Sequence, residues 1–256
     1  MIDPRAIIAP DAVIGEGAEV GPYTIIGPGV RIGAGSWIGP HAVINGPTIL
    51  GRDNKVFQFA SIGDAPQDKK YRGEPTRLEV GDRNVFREFC SINRGTAGGR
   101  AVTKIGDDNL FMSYSHVGHD CIVGSQCVMS NCTALAGHVE LGDWVILSGY
   151  AGIHQFCKVG AHSFMANNAA VTRDVPPYLL VAGTPAEPKG VNSEGLKRRG
   201  FGPEQISNIR NAYRLLYRSG LKLAAATEQL QALAADQPEL LPFVQFLAAS
   251  ERSIVR

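Results

Sequence analysis

Ile2, Ile8, Ile14, Val20, Ile26, Ile32, Ile38, Ile44, Leu50, Val56 and Ile62 stand six residues apart without a miss. Glycine follows the apolar residue at Gly15, Gly21, Gly27, Gly33, Gly39, Gly51 and Gly63. The phase returns at Val80, Phe86 and Ile92, restarts at Ile105, and runs on through Phe111, Val117, Val123, Met129 and Leu135 to Val171. A helix repeats its apolar positions every three or four residues and a strand every two, so a period of six is neither element on its own. It suits a coil with short strands for sides, one apolar residue pointing inward from each and glycine easing the corner. Three hexads make a triangular turn, so residues 18 apart stack. At ~4.8 Å between coils, about ten coils give a prism on the order of 50 Å long.

Two stretches interrupt the hexads: residues 64 to 78 ("DAPQDKKYRGEPTRL") and 95 to 103 ("GTAGGRAVT"). Insertions in a solenoid form loops on one face, often the binding face. After Val171 the Pro- and Gly-rich "RDVPPYLLVAGTPAEPKG" reads as an exit segment. Beyond it "PEQISNIRNAYRLLYRSG" has Pro203 at a first turn, Ile206, Ile209, Ala212 and Leu216 on one face, and Gly220 as a stop. The expected organisation is a mainly β chain, with a solenoid over residues 1–190 and a helical domain of three or four helices over 191–256.

Composition limits the function. Lys+Arg 25 against Asp+Glu 24 gives a net charge of +1, with no global field for nucleic acid or anionic membranes. No window approaches ~18 uninterrupted apolar residues, and the N-terminus lacks a basic segment followed by an apolar run. Five cysteines in no disulfide framework fit reduced thiols, and with them a cytoplasmic location.

Within the repeat, "YSHVGHDCIVG" carries His116, His119 and Asp120 among small residues. Exposed histidines on a solenoid are mostly surface decoration. His119, however, lies two residues past the inward Val117, and Gly137, 18 residues on, stacks above it. A base beneath an unencumbered backbone N–H is what acyl transfer needs: one removes a proton, the other binds the developing oxyanion. Asp120 can orient the imidazole.

The hexads, "GEPTR", "SHVGHDC", "LAGHV", "IHQFC" and "VNSEGLKRRGF" together resemble the acyl-carrier-protein-dependent UDP-N-acetylglucosamine O-acyltransferases, hexapeptide-repeat enzymes that open lipid A biosynthesis. The resemblance implies a left-handed parallel β-helix and a homotrimer with sites between subunits. The donor it implies is a 3-hydroxyacyl chain on the phosphopantetheine of acyl carrier protein, with no further cofactor and no metal. It assigns His119 as base, Asp120 as its partner and Gly137 as oxyanion donor. His116, His138, His154 and Gln155 are implied to position substrate, and Gln67, Asp68 and Lys70 to contact the sugar nucleotide. Asn192, Glu194, Arg198 and Arg199 of a neighbouring subunit are implied at the diphosphate and uridine, where Arg pairs with phosphate in bidentate fashion. For Lys197, Arg198 and Arg199 the bland reading is a solvated helix face. Arg210, Arg214, Arg218 and Lys222 are candidates for attracting an acidic carrier, or equally a solvated helix.

Asn167 falls where long-chain members carry glycine, which implies an acyl cleft closed early. Residues 92 to 95 read "INRG" where the family pattern has Ile-His-Arg-Gly, so Asn93 replaces a titratable side chain with an amide. That leaves open an acceptor with a 3-amino rather than a 3-hydroxyl group. Two other classes stay in view: a hexapeptide-fold zinc enzyme of the carbonic anhydrase type, whose three histidines meet at a subunit interface, and a scaffold without chemistry.

Overall fold

The computed structural model describes residues 1–250 and 252–256. Each hexad contributes a strand of two to four residues whose last apolar side chain points into the prism, and the strands stack in parallel into three sheets. The first sheet has nine strands from Ile7–Ile8 to Ala170–Val171 and the second has eight from Val13–Ile14 to Lys158–Val159. The third has ten, beginning at Glu19–Val20 and ending in Leu179–Ala182 paired antiparallel with Glu187–Val191. Partners along the regular coils are 18 residues apart, as in Ile7 with Ile25 and His116 with Ala134. The core is the column of inward side chains, in which Phe86 and Phe111 stack at 4.8 Å. No helix among the described residues is long and apolar enough to cross a membrane.

Both insertions leave from the edge between the first and second sheets. One joins Ser61–Asp64 to Arg77–Val80, the other Ser91–Asn93 to Val102–Ile105. They stretch the partner spacing to Ser61 with Ser91 and then Ser91 with His116.

Apart from Gly63 (φ 76), the glycines that follow the inward residues do a different job from the one expected of them. The left-handed residue of a corner falls three places after the inward residue; glycine holds it on early coils at Gly17, Gly29 and Gly35, but larger side chains occupy it at Tyr114 (φ 65), Asp120 (φ 60), His138 (φ 64) and Trp144 (φ 62). The hexad glycines instead allow close stacking of coils. A Cβ on Gly15 would sit 2.6 Å from the amide nitrogen of Ala34 on the coil above.

The helical region packs on the solenoid's last coils. It comprises α1 (Ser193–Arg198), α2 (Pro203–Tyr217), α3 (Leu223–Ala234) and α4 (Leu241–Ala249), with a short 3-10 turn at Pro238–Leu240. Pro203 opens α2, and Ile206, Ile209, Ala212 and Leu216 form its buried face. Leu196, Leu230, Leu240 and Phe243 complete the core on that side. The C-terminus returns to the prism, where Ile254 bridges to Asp174.

Candidate active site

The outward positions of the first sheet become small toward its far end: His116, then Ala134, Gly152 and Ala170. This leaves a cleft of about 640 Å³. Its walls include Gln67 from the first insertion, Asn93 from the end of a strand, and His116, His119, Gly137, His154 and Gln155. Seven of the residues singled out in the sequence therefore meet in one place. A larger hollow of about 700 Å³ lies among Lys189, Tyr213, Tyr217, Arg218 and Arg256 and shares none of them.

His119 and Gly137 stack as the 18-residue spacing requires. A Cβ on Gly137 would lie 2.6 Å from His119 Cε1 and 2.7 Å from Nε2. No hydrogen bond among the described residues uses the Gly137 N–H. Other coil corners also leave that N–H unpaired, His119 among them. What singles out Gly137 is its place over the imidazole.

His119 Nδ1 is 2.8 Å from Asp120 Oδ2, and the Asp120 side chain is 0% exposed. Burial alone would raise the Asp120 pKa, but hydrogen bonds from Thr96, His119 and the Arg100 N–H outweigh it and hold it below the usual carboxylate value. An ionised carboxylate only accepts, so Nδ1 carries the proton and Nε2 keeps a lone pair for the cleft.

Asp120 Oδ1 accepts from Arg100 N (2.8 Å), Oδ2 accepts from Thr96 Oγ1 (2.6 Å), and Thr96 N is 3.1 Å from both. His119, Asp120 and His138 lie close enough to be considered as metal ligands. However, the carboxylate's acceptor sites are filled by these donors and the His119 Nδ1 is spent on it. The donor set suits a hydrogen-bonded pair better than a zinc centre.

His116 Nδ1 is 2.7 Å from Ser91 Oγ, and burial lowers its pKa, which favours the neutral ring. His138 is edge-on to His119 at 5.1 Å and stacks on Phe156 at 4.4 Å. Burial lowers its pKa, partly opposed by Asp120. It lies outside the His119 cleft and lines a second hollow with Arg100 and Glu140. His154 and Gln155 are exposed on the cleft rim. Asn93 is 4% exposed; its amide NH₂ donates to Ala65 O at 3.1 Å, and its Oδ1 has no partner among the described residues. Asp68 caps its own loop by accepting from Lys70 N at 2.9 Å. Asn167 is exposed on the edge leading into the Ala170–Val171 strand.

Asn192, Glu194, Arg198 and Arg199 are absent from the cleft wall. They belong to α1 and its ends, packed beside Trp144 and His162 on the edge between the second and third sheets. Asn192 is the helix N-cap, accepting from Gly195 N at 3.2 Å and donating to His162 O at 2.9 Å. The Arg199 guanidinium lies 5.1 Å above the Trp144 ring and 3.2 Å from His162 Nδ1. The His162 pKa is pushed down to about 4, by burial first and then by this arginine. Glu194 pairs with Lys197, and Arg198 is exposed. Thr96, Gly99 and Arg100 were not singled out in the sequence. Their signal was only their membership of an insertion that leaves from the His119 edge.

The family profile "Udp N-acetylglucosamine O-acyltransferase; Domain 2" matches residues 174–255. The acyl-(acyl-carrier-protein)–UDP-N-acetylglucosamine O-acyltransferase of Thiobacillus denitrificans is 52% identical over 255 residues, covering 100% of this chain and 99% of the relative. That of Stutzerimonas stutzeri is 51% identical over 256 residues with the same coverage. Among solved structures, the UDP-N-acetylglucosamine acyltransferase of Francisella novicida superposes with a TM-score of 0.98 at 42% identity, over 100% of this chain and 94% of that one. LpxA from Acinetobacter baumannii superposes at 0.97 and 45% identity, over 100% and 99%.

Proposed function

Because the chain belongs to the acyl-(acyl-carrier-protein)–UDP-N-acetylglucosamine O-acyltransferase family, we propose that it moves a 3-hydroxyacyl chain from acyl carrier protein to the 3-position of the glucosamine of UDP-N-acetylglucosamine, the first step of lipid A biosynthesis. The observation that carries the mechanism is the stack of Gly137 on His119 with Asp120 behind it. His119 Nε2 takes the proton of the 3-hydroxyl as the oxygen attacks the thioester carbonyl. The Gly137 N–H stabilises the oxyanion. On collapse the C–S bond breaks, the imidazolium returns the proton to the sulfur, and the products are the 3-O-acyl sugar nucleotide and carrier thiol. Asp120 stabilises the imidazolium without taking the proton.

The nucleotide is held by a second copy of the chain in a homotrimer. Asn192, Glu194, Arg198 and Arg199 sit on an edge other than the His119 edge, which supports a site closed by a neighbour. Gln67, Asp68 and Lys70 meet the sugar nucleotide from the first insertion, and His116, His138, His154 and Gln155 position the substrates. Acylated UDP-sugar formed only when both substrates are present supports this reading; hydrolysis of the thioester without sugar acylation overturns it.

Asn167 sets the acyl length. A polar side chain beside the last strand of the cleft floor closes it, and each buried methylene contributes only ~0.8 kcal/mol, less than a steric clash costs. Donors of about 10–12 carbons are expected to outcompete 14-carbon donors, with Asn167→Gly relaxing the preference. An advantage for 14 carbons, unchanged in Asn167→Gly, would remove the ruler assignment.

The orphaned Asn93 Oδ1 favours a variant of this acceptor. A buried acceptor oxygen on the cleft wall is satisfied by an N–H or O–H of the bound sugar. A 3-amino group has two protons to donate, one to Asn93 and one to His119. The ordinary 3-hydroxyl acceptor remains the primary reading, with Asn93 mainly holding Ala65. Comparing kcat/KM for 3-hydroxyl and 3-amino acceptors in wild type and Asn93→His separates them. An amine preference that weakens in the variant supports the amide's role, and a hydroxyl preference in both proteins ends it.

A further inference from the structure

The second insertion folds over the back of the His119–Asp120 pair. Thr96 supplies its hydroxyl and N–H to the Asp120 carboxylate, and Arg100 supplies its N–H. Gly99 packs so closely that a Cβ there would lie 2.5 Å from the carboxylate carbon and 2.6 Å from His138 Cε1. The loop is itself tied down: the Arg100 guanidinium donates to Asp120 O at 2.7 Å and pairs with Glu140 on the next coil. From the other side, Thr103 Oγ1 accepts the Asp120 N–H at 2.8 Å. A carboxylate with no exposure must find its partners within the protein, and the 2.6 Å hydroxyl contact is the shortest that Asp120 makes.

We propose that Thr96 is a positioning residue for the acyl transfer, its hydroxyl and N–H fixing Asp120 Oδ2 toward His119 Nδ1. The competing direction is close at hand, because His138 Nε2 is 3.8 Å from the same oxygen. Without the hydroxyl, Oδ2 is free to turn to His138, and the imidazole of His119 loses its fixed tautomer and its aim under Gly137. This inference rests on the reading of His119 as the general base. The charged and titratable groups around Asp120 are His119 and His138, Arg100 with its partner Glu140, the buried thiol of Cys121, and His116 and Asp68, which act through the two histidines.

The test compares full-length Thr96→Val, Thr96→Ser and His119→Ala, each checked for folding by circular dichroism. Thr96→Ala gives the same readout if the valine variant does not fold. Thr96→Val is expected to lower kcat roughly 10- to 100-fold with KM for the UDP-sugar unchanged. With Oδ2 turned away from Nδ1 the imidazolium loses its carboxylate partner, so the acid limb of the kcat/KM profile moves to lower pH. Thr96→Ser restores both. Wild-type kcat and profile in Thr96→Val overturn the proposal, as does a serine variant as impaired as the valine one. The two readings fail separately: an inactive His119→Ala beside a silent Thr96→Val removes only the role of Thr96, whereas an active His119→Ala removes the base itself.

Discussion

Gly137→Ala is expected to lose turnover by roughly 10²-fold while the protein melts within a few degrees of wild type. Gly137 does not have a positive φ, so its backbone accepts alanine, and the entropy lost by the unfolded chain on Gly→Ala works in favour of the fold. The cost falls instead on the His119 ring, whose Cε1, Nε2 and Nδ1 would lie 2.6, 2.7 and 3.1 Å from the new methyl. The imidazole has to move, and both its hydrogen bond to Asp120 and its approach to the acceptor hydroxyl go with it. A control is Gly149→Ala, whose Cβ meets nothing closer than Asn131 O at 3.7 Å. It is expected to keep wild-type activity. If kcat for Gly137→Ala stayed within a few-fold of wild type, the ring would have room to move without loss, and the stack would have no catalytic meaning.

The sequence makes the coil legible because a hexad gives each residue an address. Val117 points inward, so His119 lies past the strand end and Gly137 lies above it, and the parallel pairing of His116 with Ala134 agrees. The address fails inside the insertions. Between Ser91 and His116 the partner spacing leaves the 18-residue rule, so no counting places Thr96 over Asp120. Hydrogen-bond satisfaction of a buried carboxylate decides that contact, and the carboxylate's burial is a product of the loop itself. Asn192 shows a different limit: as the cap of α1 it has a local job that spacing alone does not reveal. The reason for the hexad glycines was also hidden, since positive φ and close coil stacking favour the same residue. Asn93 was legible as a departure from the family pattern, but its unpartnered oxygen is visible only in the folded chain.

The largest effect is expected from His119→Ala. The substitution removes a side chain that is 18% exposed and makes one side-chain hydrogen bond, so the solenoid core is untouched. It also leaves the Asp120 carboxylate with its three donors from the second insertion. Stability and nucleotide binding are therefore expected to survive, with turnover reduced ~10²–10⁴-fold by loss of the base. The decisive measurement is the rate of 3-hydroxyacyl transfer from acyl carrier protein to UDP-N-acetylglucosamine, by wild type and His119→Ala, each with and without a metal chelator. Transfer by the wild type is expected to be indifferent to the chelator and to be almost completely lost in the variant. Activity within a few-fold of wild type in His119→Ala, or wild-type transfer abolished by the chelator, would contradict it.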